Sequence, residues 1–104
     1  MIEYIQKNFC DDISVTQLAA QFNLSPNYLS SLLKKKLGLS FVDYLTVLRI
    51  GKAKELLIST NLSVHEISEA IGYYSQSYFT KTFIKKENCT PGEFRKKNIN
   101  KQVS

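Results

Sequence analysis

Two segments of this chain repeat one pattern of residues. A first pair of helical segments begins at Ser14 and Ser63, an offset of 49 residues, and a second pair begins at Ser25 and Ser75, an offset of 50. Matched positions within these segments are Leu18 with Ile67, Tyr28 with Tyr78, Leu29 with Phe79, Leu33 with Phe83, and Lys35-Lys36 with Lys85-Lys86. Apolar residues at the same helical spacing lie on the same face of a helix, and that face is buried. The chain is therefore predicted to fold as two copies of one helix-pair unit.

Both copies have the start and stop signals of two helices joined by a short turn. The segments Ser14-Val15-Thr16-Gln17 and Ser63-Val64-His65-Glu66 fit the capping box that opens a helix. Ser25-Pro26 supplies an N-cap and a first helical residue for the next helix. Gly38 is placed to end that helix in the left-handed conformation, and Asn88 takes the same place in the second copy. Each copy is therefore predicted to be helix, turn, helix.

Residues 40–59, SFVDYLTVLRIGKAKELLIS, lie between the two copies and are predicted to form one long amphipathic helix. Ser40 is the expected N-cap, with Asp43 three positions on. Gly51 inside this helix costs about 1 kcal/mol relative to alanine, so either the strain is tolerated or another group approaches the backbone there. The expected apolar positions are Phe41, Tyr44, Leu45, Leu48, Ala53, Leu56 and Leu57.

The predicted fold is all-α, with about seven helices in two helix-turn-helix subdomains joined by the long linker helix. Ile2, Ile5 and Phe9 indicate a short first helix, and Thr90 with Pro91 opens a last short one. The first subdomain is assigned to residues 1–39, the linker to 40–59, the second subdomain to 60–97, and a polar tail to 98–104.

Composition excludes several classes of protein. A hydrophobic fraction of 43% is enough for a core, and no apolar run approaches the roughly 18 residues of a membrane span. The absence of a signal-peptide pattern points to a cytoplasmic protein. Cys10 and Cys89 are distant in sequence and only one histidine is present, so neither a metal site nor another cofactor is expected.

The charge distribution favours a polyanionic partner. Fourteen lysines and arginines against nine acids give a net charge of +5. The basic residues cluster at Lys34-Lys35-Lys36, at Arg49, Lys52 and Lys54, at Lys81, Lys85 and Lys86, and at Arg95-Lys96-Lys97. Any single cluster is equally well explained as a solvated helix face, but two clusters at matching places in a repeat point to a shared role.

The helix-turn-helix unit suggests DNA recognition, in which the second helix enters the major groove and the first crosses the backbone. A helix of about 20 residues is roughly 30 Å long, and neighbouring major grooves on one side of B-DNA are about 34 Å apart. A linker helix of this length can therefore place two DNA-reading helices about one turn of DNA apart.

A set of residues at fixed spacing resembles the signature of AraC/XylS-type DNA-binding domains, from about Ile2 to Lys97. These residues are Arg49, Ala53, Leu56-Leu57, Ser63, Glu66-Ile67, Gly72-Tyr73, Phe79, Phe83, Thr90-Pro91 and Phe94-Arg95. The resemblance implies seven helices and two helix-turn-helix subdomains that read successive major grooves of a promoter. The segments SPNYLSSLLKKKLG and FVDYL are most similar to the output domains of AraC-type two-component response regulators.

The outward faces of the two second helices are the candidate base readers. Helical spacing leaves a stripe of Asn27, Ser30, Ser31 and Lys34 in the first copy, and of Gln76, Ser77, Thr80, Lys81 and Lys85 in the second. By resemblance, Asn27, Ser30 and Ser31 occupy the family's base-reading positions in the first copy, and Gln76, Ser77 and Lys81 occupy those in the second. Lys81 stands where arginine is frequent in the family. Ile84 stands where lysine is frequent, and burial is expected for it instead.

Contacts to the DNA backbone are predicted from lysines and from helix N-termini, where N–H groups and the helix dipole attract phosphate. The candidates are Ser14, Thr16, Lys34, Lys35, Ser63, His65, Thr80 and Lys85. Each capping serine also has its ordinary structural role. A histidine in the place of His65 is most often an ordinary exposed first-turn residue. Arg49 is suited to an internal acidic partner as much as to phosphate.

The predicted function is sequence-specific DNA binding by a transcriptional regulator with double-stranded DNA and RNA polymerase as partners. The chain is expected to be the C-terminal output domain of a longer regulator, monomeric alone and dimeric through a missing domain; the alternative is a complete small regulator. An enzyme is disfavoured because paired carboxylates and phosphate-binding loops are absent from the sequence. A basic helical module that binds proteins is the other alternative.

Overall fold

Seven α-helices make up the computed structural model, which describes the backbone of residues 1–103 and the side chains of residues 1–98. No strand occurs in that part of the chain. The helices are α1 Ile2–Asn8, α2 Val15–Gln21, α3 Pro26–Leu37, α4 Phe41–Ser59, α5 Val64–Ala70, α6 Gln76–Glu87 and α7 Pro91–Val103. The all-α fold with two helix-turn-helix pairs, α2–α3 and α5–α6, is confirmed.

The chain divides into two compact units, Met1–Leu48 and Arg49–Ser104, and α4 contributes one half to each. The core of the first unit is mainly aliphatic. Its buried residues are Ile5, Leu18, Ala19, Leu29, Leu33, Phe41 and Leu45. The second helix of the pair, α3, is thus held by leucines on its inner face.

The core of the second unit is largely aromatic. Phe79 and Phe83 replace the leucines of the first unit at the matched positions, and both are fully buried. Their rings pack in sequence with Tyr73 and Phe94 at centroid distances of 5.7, 5.9 and 5.6 Å. Offset and edge-to-face ring pairs of this kind add about 0.5–1.5 kcal/mol each beyond area burial.

Helix α4 does not carry the single apolar stripe that the sequence suggested. Leu45 and Ile50 are both buried, and their separation of five positions breaks the spacing of three and four. Each half of the helix supplies its own buried set, with Ile50, Ala53 and Leu57 in the second half. Ile50 was absent from the predicted apolar positions because one continuous stripe was assumed.

The backbone of Gly51 faces open space. A Cβ placed there would meet no heavy atom within 4 Å among the described residues, its own helix backbone aside. The second explanation for this glycine, a close approach by another group, is therefore wrong for the chain itself.

Left-handed backbone occurs at equivalent places in the two copies. Gly38 ends α3 at φ 74° and Asn88 ends α6 at φ 63°, as predicted. A second pair follows α2 and α5, with φ 56° at Asn23 and 97° at Gly72. Each pair thus contains one glycine and one asparagine, the two residue types that adopt this conformation most readily.

Capping side chains fix the starts of the helices. Ser63 and Glu66 form the full reciprocal capping box at α5, and Thr90 and Glu93 bond in the same way at α7. At α2, the Ser14 hydroxyl accepts from the N–H of Gln17 at 3.2 Å. The pKa of Glu66 is lowered mainly by the backbone N–H of Ser63, and that of Glu93 by the backbone N–H of Thr90.

Helix α7 is longer than the sequence indicated, since its backbone is helical through Val103. The polar tail predicted for residues 98–104 lies, apart from Asn98, outside the described side chains.

Arg95 on this helix turns inward rather than to solvent. Its Nε donates to the carbonyl of Leu57 at 2.9 Å and its Nη2 to that of Thr60 at 3.1 Å. These bonds satisfy carbonyl groups at the C-terminus of α4.

Candidate nucleic-acid interface

Helix α3 presents the predicted polar stripe of the first unit to solvent. Leu29 and Leu33 are fully buried and hold one face of the helix against the core. The Ser25 hydroxyl fixes its start by accepting from the N–H of Tyr28 at 3.2 Å. The side chains of Asn27, Ser30, Ser31 and Lys34 are all exposed. A rigid helix therefore displays one amide, two short hydroxyls and an ammonium group.

Helix α6 presents the matching stripe of the second unit, and here four predicted residues share one groove. Gln76, Ser77, Thr80 and Lys81 line a surface groove of about 370 Å³. Thr80 is half-buried and the other three are exposed. Their amide and hydroxyl groups can both donate to and accept from the edges of bases, and the ammonium group of Lys81 can donate.

The basic clusters divide into internal and external groups. Lys34, Lys35, Lys36, Lys85 and Lys86 are exposed in the last turns of α3 and α6. Positive charge there also complements the negative end of each helix dipole.

The basic residues of α4 are used within the second unit. The Arg49 guanidinium lies over the ring of Tyr73, 5.4 Å from its centroid. Lys52 pairs with Glu55 at 3.5 Å, and Lys54 pairs with Glu87 at 3.1 Å. Arg49, Lys52 and Lys54 formed one of the four basic clusters in the sequence. The contacts above give these three residues a structural role within the fold.

The helix N-termini that were predicted to meet phosphate differ in charge. Ser14 and Thr16 at α2 are exposed, and the first turn of α2 contains no acidic residue. Ser63 and His65 at α5 are also exposed, but the Ser63 N–H donates to the Glu66 carboxylate at 2.9 Å.

His65 of α5 is paired with a carboxylate as well. Its Nε2 lies 2.7 Å from Oε1 of Glu69. Two carboxylates therefore lie near the positions at α5 that were expected to attract an anion. The first turn of α5 thus contains a carboxylate, whereas that of α2 contains none.

The described residues lack both a cluster of potential metal ligands and a membrane-spanning helix. The described side chains contain no group of three or more histidine, cysteine or acidic residues that could hold a metal ion. Within residues 1–103, no helix has the length and apolar character that crossing a bilayer requires.

A family model described as a helix-turn-helix domain matches residues 18–97, which include the second half of α2 and all of α3, α4, α5 and α6. The chain belongs to the AraC/XylS-type helix-turn-helix family. This membership confirms the family suggested by the sequence, and the matched region is a helix-turn-helix domain, as predicted.

Solved structures of this family have the same fold. The C-terminal domain of AraT, a response regulator from Geobacillus stearothermophilus, is 44% identical with a TM-score of 0.88, over 91% of this chain and 79% of that one. The DNA-binding domain of AdpA, a global transcriptional factor solved in complex with a target DNA, has a TM-score of 0.93 at 18% identity, over 99% and 93%. The AdpA likeness bears on the fold alone.

A curated relative from Bacillus subtilis is the HTH-type transcriptional regulator YfiF. It is 41% identical over 92 residues, which are 88% of this chain and 29% of YfiF. The chain thus spans less than a third of the length of YfiF.

Three exposed residues on α3 and α6 were missed or misjudged from the sequence. Ile84, for which burial was expected, is 40% exposed. Tyr28 and Tyr78 hold matching positions in α3 and α6 and are 56% and 61% exposed. The repeat contained the signal for Ile84, because the residue that it matches is the exposed Lys34.

Proposed function

We propose that this chain binds double-stranded promoter DNA in a sequence-specific manner and thereby regulates transcription. The observation that supports this most strongly is the matched pair of exposed polar faces on α3 and α6. Each belongs to the second helix of a helix-turn-helix pair, and each ends in exposed lysines. In such pairs the second helix reads base edges in the major groove.

Base reading falls mainly to the second unit. Gln76 can bond adenine through two parallel hydrogen bonds, and Lys81 favours the acceptors of guanine. Ser77 bonds either type of base edge, and the groove places it next to these two side chains. In the first unit Asn27 is the one adenine-type reader, while Ser30 and Ser31 reach less far and contribute less discrimination.

Contacts to phosphate supply most of the affinity. Lys34, Lys35 and Lys85 are exposed beside the reading stripes, so they neutralise phosphates and release counterions. Ser14 and Thr16 offer the N-terminus of α2 to the DNA backbone, and Thr80 bonds the backbone at the edge of its groove. Ser63 and His65 offer the N-terminus of α5 to the backbone, and the carboxylates of Glu66 and Glu69 weaken that contact.

The longer protein is proposed to be an AraC-type response regulator in which this chain is the C-terminal output domain. The similarity to the AraT C-terminal domain supports this context, as does the small share of YfiF that the chain spans. The domain alone acts as a monomer in the cytoplasm, the full protein dimerises through another domain, and RNA polymerase is the partner at the promoter.

Selection from a randomised duplex pool with the 104-residue chain tests the proposed function. Sequence-specific binding predicts an enriched motif whose affinity falls steeply as salt is raised. A pool that is bound at low salt but never enriched would contradict specific reading by this domain. If no duplex is bound at any salt concentration, the protein-interaction alternative replaces DNA binding.

Two substitutions separate base reading from phosphate contact. Gln76→Ala should cost about 1–3 kcal/mol and relax the preference at one position of the motif, whereas Lys85→Ala should weaken all sequences and lower the salt slope by about one. Lys52→Ala is the matched lysine control, because Lys52 pairs with Glu55, and its salt slope should equal that of the native chain. Equal losses on every sequence from Gln76→Ala would refute its role as a reader.

A further inference from the structure

An apolar side chain lies on the polar reading face of α6. Ile84 is 40% exposed, although eight of the twelve residues of this helix are polar or charged and its apolar core face is formed by Phe79 and Phe83. It follows Thr80 and Lys81 by four and three residues, which places it beside both on the helix surface. Ile84 therefore continues the reading stripe one turn beyond the groove lined by Gln76, Ser77, Thr80 and Lys81.

The repeat indicates that this apolar side chain has no counterpart in the first unit. The position matched with Ile84 is Lys34, an exposed ammonium group suited to phosphate. The two faces thus differ in chemistry at one place: a charged group in α3 and a branched hydrocarbon in α6. Ile84 can neither neutralise a phosphate nor bond a base edge.

One feature of the major groove suits a hydrocarbon side chain. Thymine carries its C5-methyl group there, and apolar side chains discriminate thymine by contact with that methyl. We propose that Ile84 is a further specificity-determining residue of this chain and that it reads the methyl group of a thymine. This inference rests on the proposed function, because it requires α6 to lie in the major groove.

The position of this thymine in the binding site is constrained by the helix. One turn of α-helix advances about 5.4 Å, and neighbouring bases on one strand are about 3.4 Å apart. The thymine should therefore lie within about two base pairs of the position whose preference changes in Lys81→Ala.

Deoxyuridine scanning tests the inference without altering the protein. Each thymine of the motif selected from the randomised pool is replaced in turn by deoxyuridine, which lacks the methyl but keeps every hydrogen-bonding group. Burial of one methyl group against Ile84 predicts about fourfold weaker binding at one thymine in the stated interval. Replacement of thymines elsewhere in the motif should change binding less than twofold.

Variants of Ile84 then assign the effect to this side chain. Ile84→Ala should bind the thymine and deoxyuridine duplexes equally, whereas Gln76→Ala, the control on the same helix, should retain the fourfold ratio. Ile84→Lys should also lose the ratio and should raise the salt slope by about one, as expected of a new phosphate contact. Thermal unfolding midpoints close to that of the native chain establish that the variants are folded.

The possible outcomes distinguish this inference from the function on which it rests. An enriched motif that lacks thymine in the interval, or that binds equally well with deoxyuridine there, overturns the role of Ile84 alone. A thymine preference that persists in Ile84→Ala also overturns it. A pool that yields no enriched motif overturns the proposed function and this inference together.

Discussion

Two glycines of this chain have opposite effects on its stability. Gly38 ends α3 with φ 74°, a conformation that costs other L-residues about 1–2 kcal/mol. Gly51 lies inside α4, where an added methyl group would meet open space among the described residues. The same substitution should therefore have opposite signs at the two positions.

The glycine pair gives a matched test by chemical denaturation. Gly38→Ala should lower the free energy of unfolding by about 1–2 kcal/mol, and Gly51→Ala should raise it by about 1 kcal/mol. Asn88 holds the position matched with Gly38 and also has a positive φ. Asn88→Gly should therefore stabilise the chain modestly, because glycine adopts this conformation without steric cost. Destabilisation by Gly51→Ala would show that this position has a constraint beyond helix propensity.

Residues whose role is local were predicted well from the sequence, and residues with distant partners were not. Ser25, Ser63 and Gly38 act within their own turn, so neighbouring residues reveal them. Arg95 was counted in an external basic cluster, yet it bonds the carbonyls of Leu57 and Thr60, which lie 38 and 35 residues away. No local pattern distinguishes an arginine that reaches a distant helix end from one that faces solvent.

Arg95 should stabilise the second unit by bonding the C-terminus of α4. Arg95→Ala should lower the free energy of unfolding by about 2–3 kcal/mol, because it removes two hydrogen bonds from a charged donor. Arg95→Lys should recover only part of this loss, since an ammonium group lacks the planar fork. The exposed neighbour Lys96 provides the control, and Lys96→Ala should change stability by less than about 0.5 kcal/mol. Equal effects of Arg95→Ala and Lys96→Ala would contradict the capping role.

At the scale of the elements, the sequence predicted every helix but not every face. Turn residues and caps placed α2, α3, α5 and α6 correctly because those signals are short-range. Burial along α4 was predicted less well, since its two halves serve different units and the apolar spacing restarts between Leu45 and Ile50. A periodic pattern identifies a helix, but it predicts the buried face correctly only where the same face is buried along the whole helix.

The capping boxes of α5 and α7 should make stability depend on pH. The folded-state pKa values of Glu66 and Glu93 lie below their ordinary value of 4.5, because N–H groups of Ser63 and Thr90 favour the ionised form. Their stabilising contribution is therefore complete above about pH 4.5 and is lost as the pH falls through the lowered values.

Urea denaturation at several pH values between 7 and 3 tests this contribution. The double variant Glu66→Gln/Glu93→Gln keeps a side-chain acceptor at each box but cannot titrate. Its stability should fall less on acidification than that of the native chain. Parallel decline of both proteins would assign the acid sensitivity to other carboxylates.

At the scale of the whole molecule, the net charge of +5 indicated a polyanionic partner but not the surface that meets it. The contacts within the fold supply that distinction. Arg49, Lys54 and Arg95 lie against an aromatic ring, a carboxylate or backbone carbonyls, whereas the lysines of α3 and α6 are exposed. Sequence alone could not separate these groups, because the partners of the internal ones lie far from them along the chain.

The two repeats are proposed to be two separate DNA readers, and selection with variants of α3 and of α6 distinguishes two readers from one. One variant carries Asn27→Ala, Ser30→Ala and Ser31→Ala in α3, and the other carries Gln76→Ala, Ser77→Ala and Lys81→Ala in α6. All six positions are exposed and alanine favours helix, so both proteins should fold. The native chain should enrich two short elements from a randomised duplex pool, and each variant should lose one element and keep the other. Enrichment of the same two elements by either variant would contradict the claim.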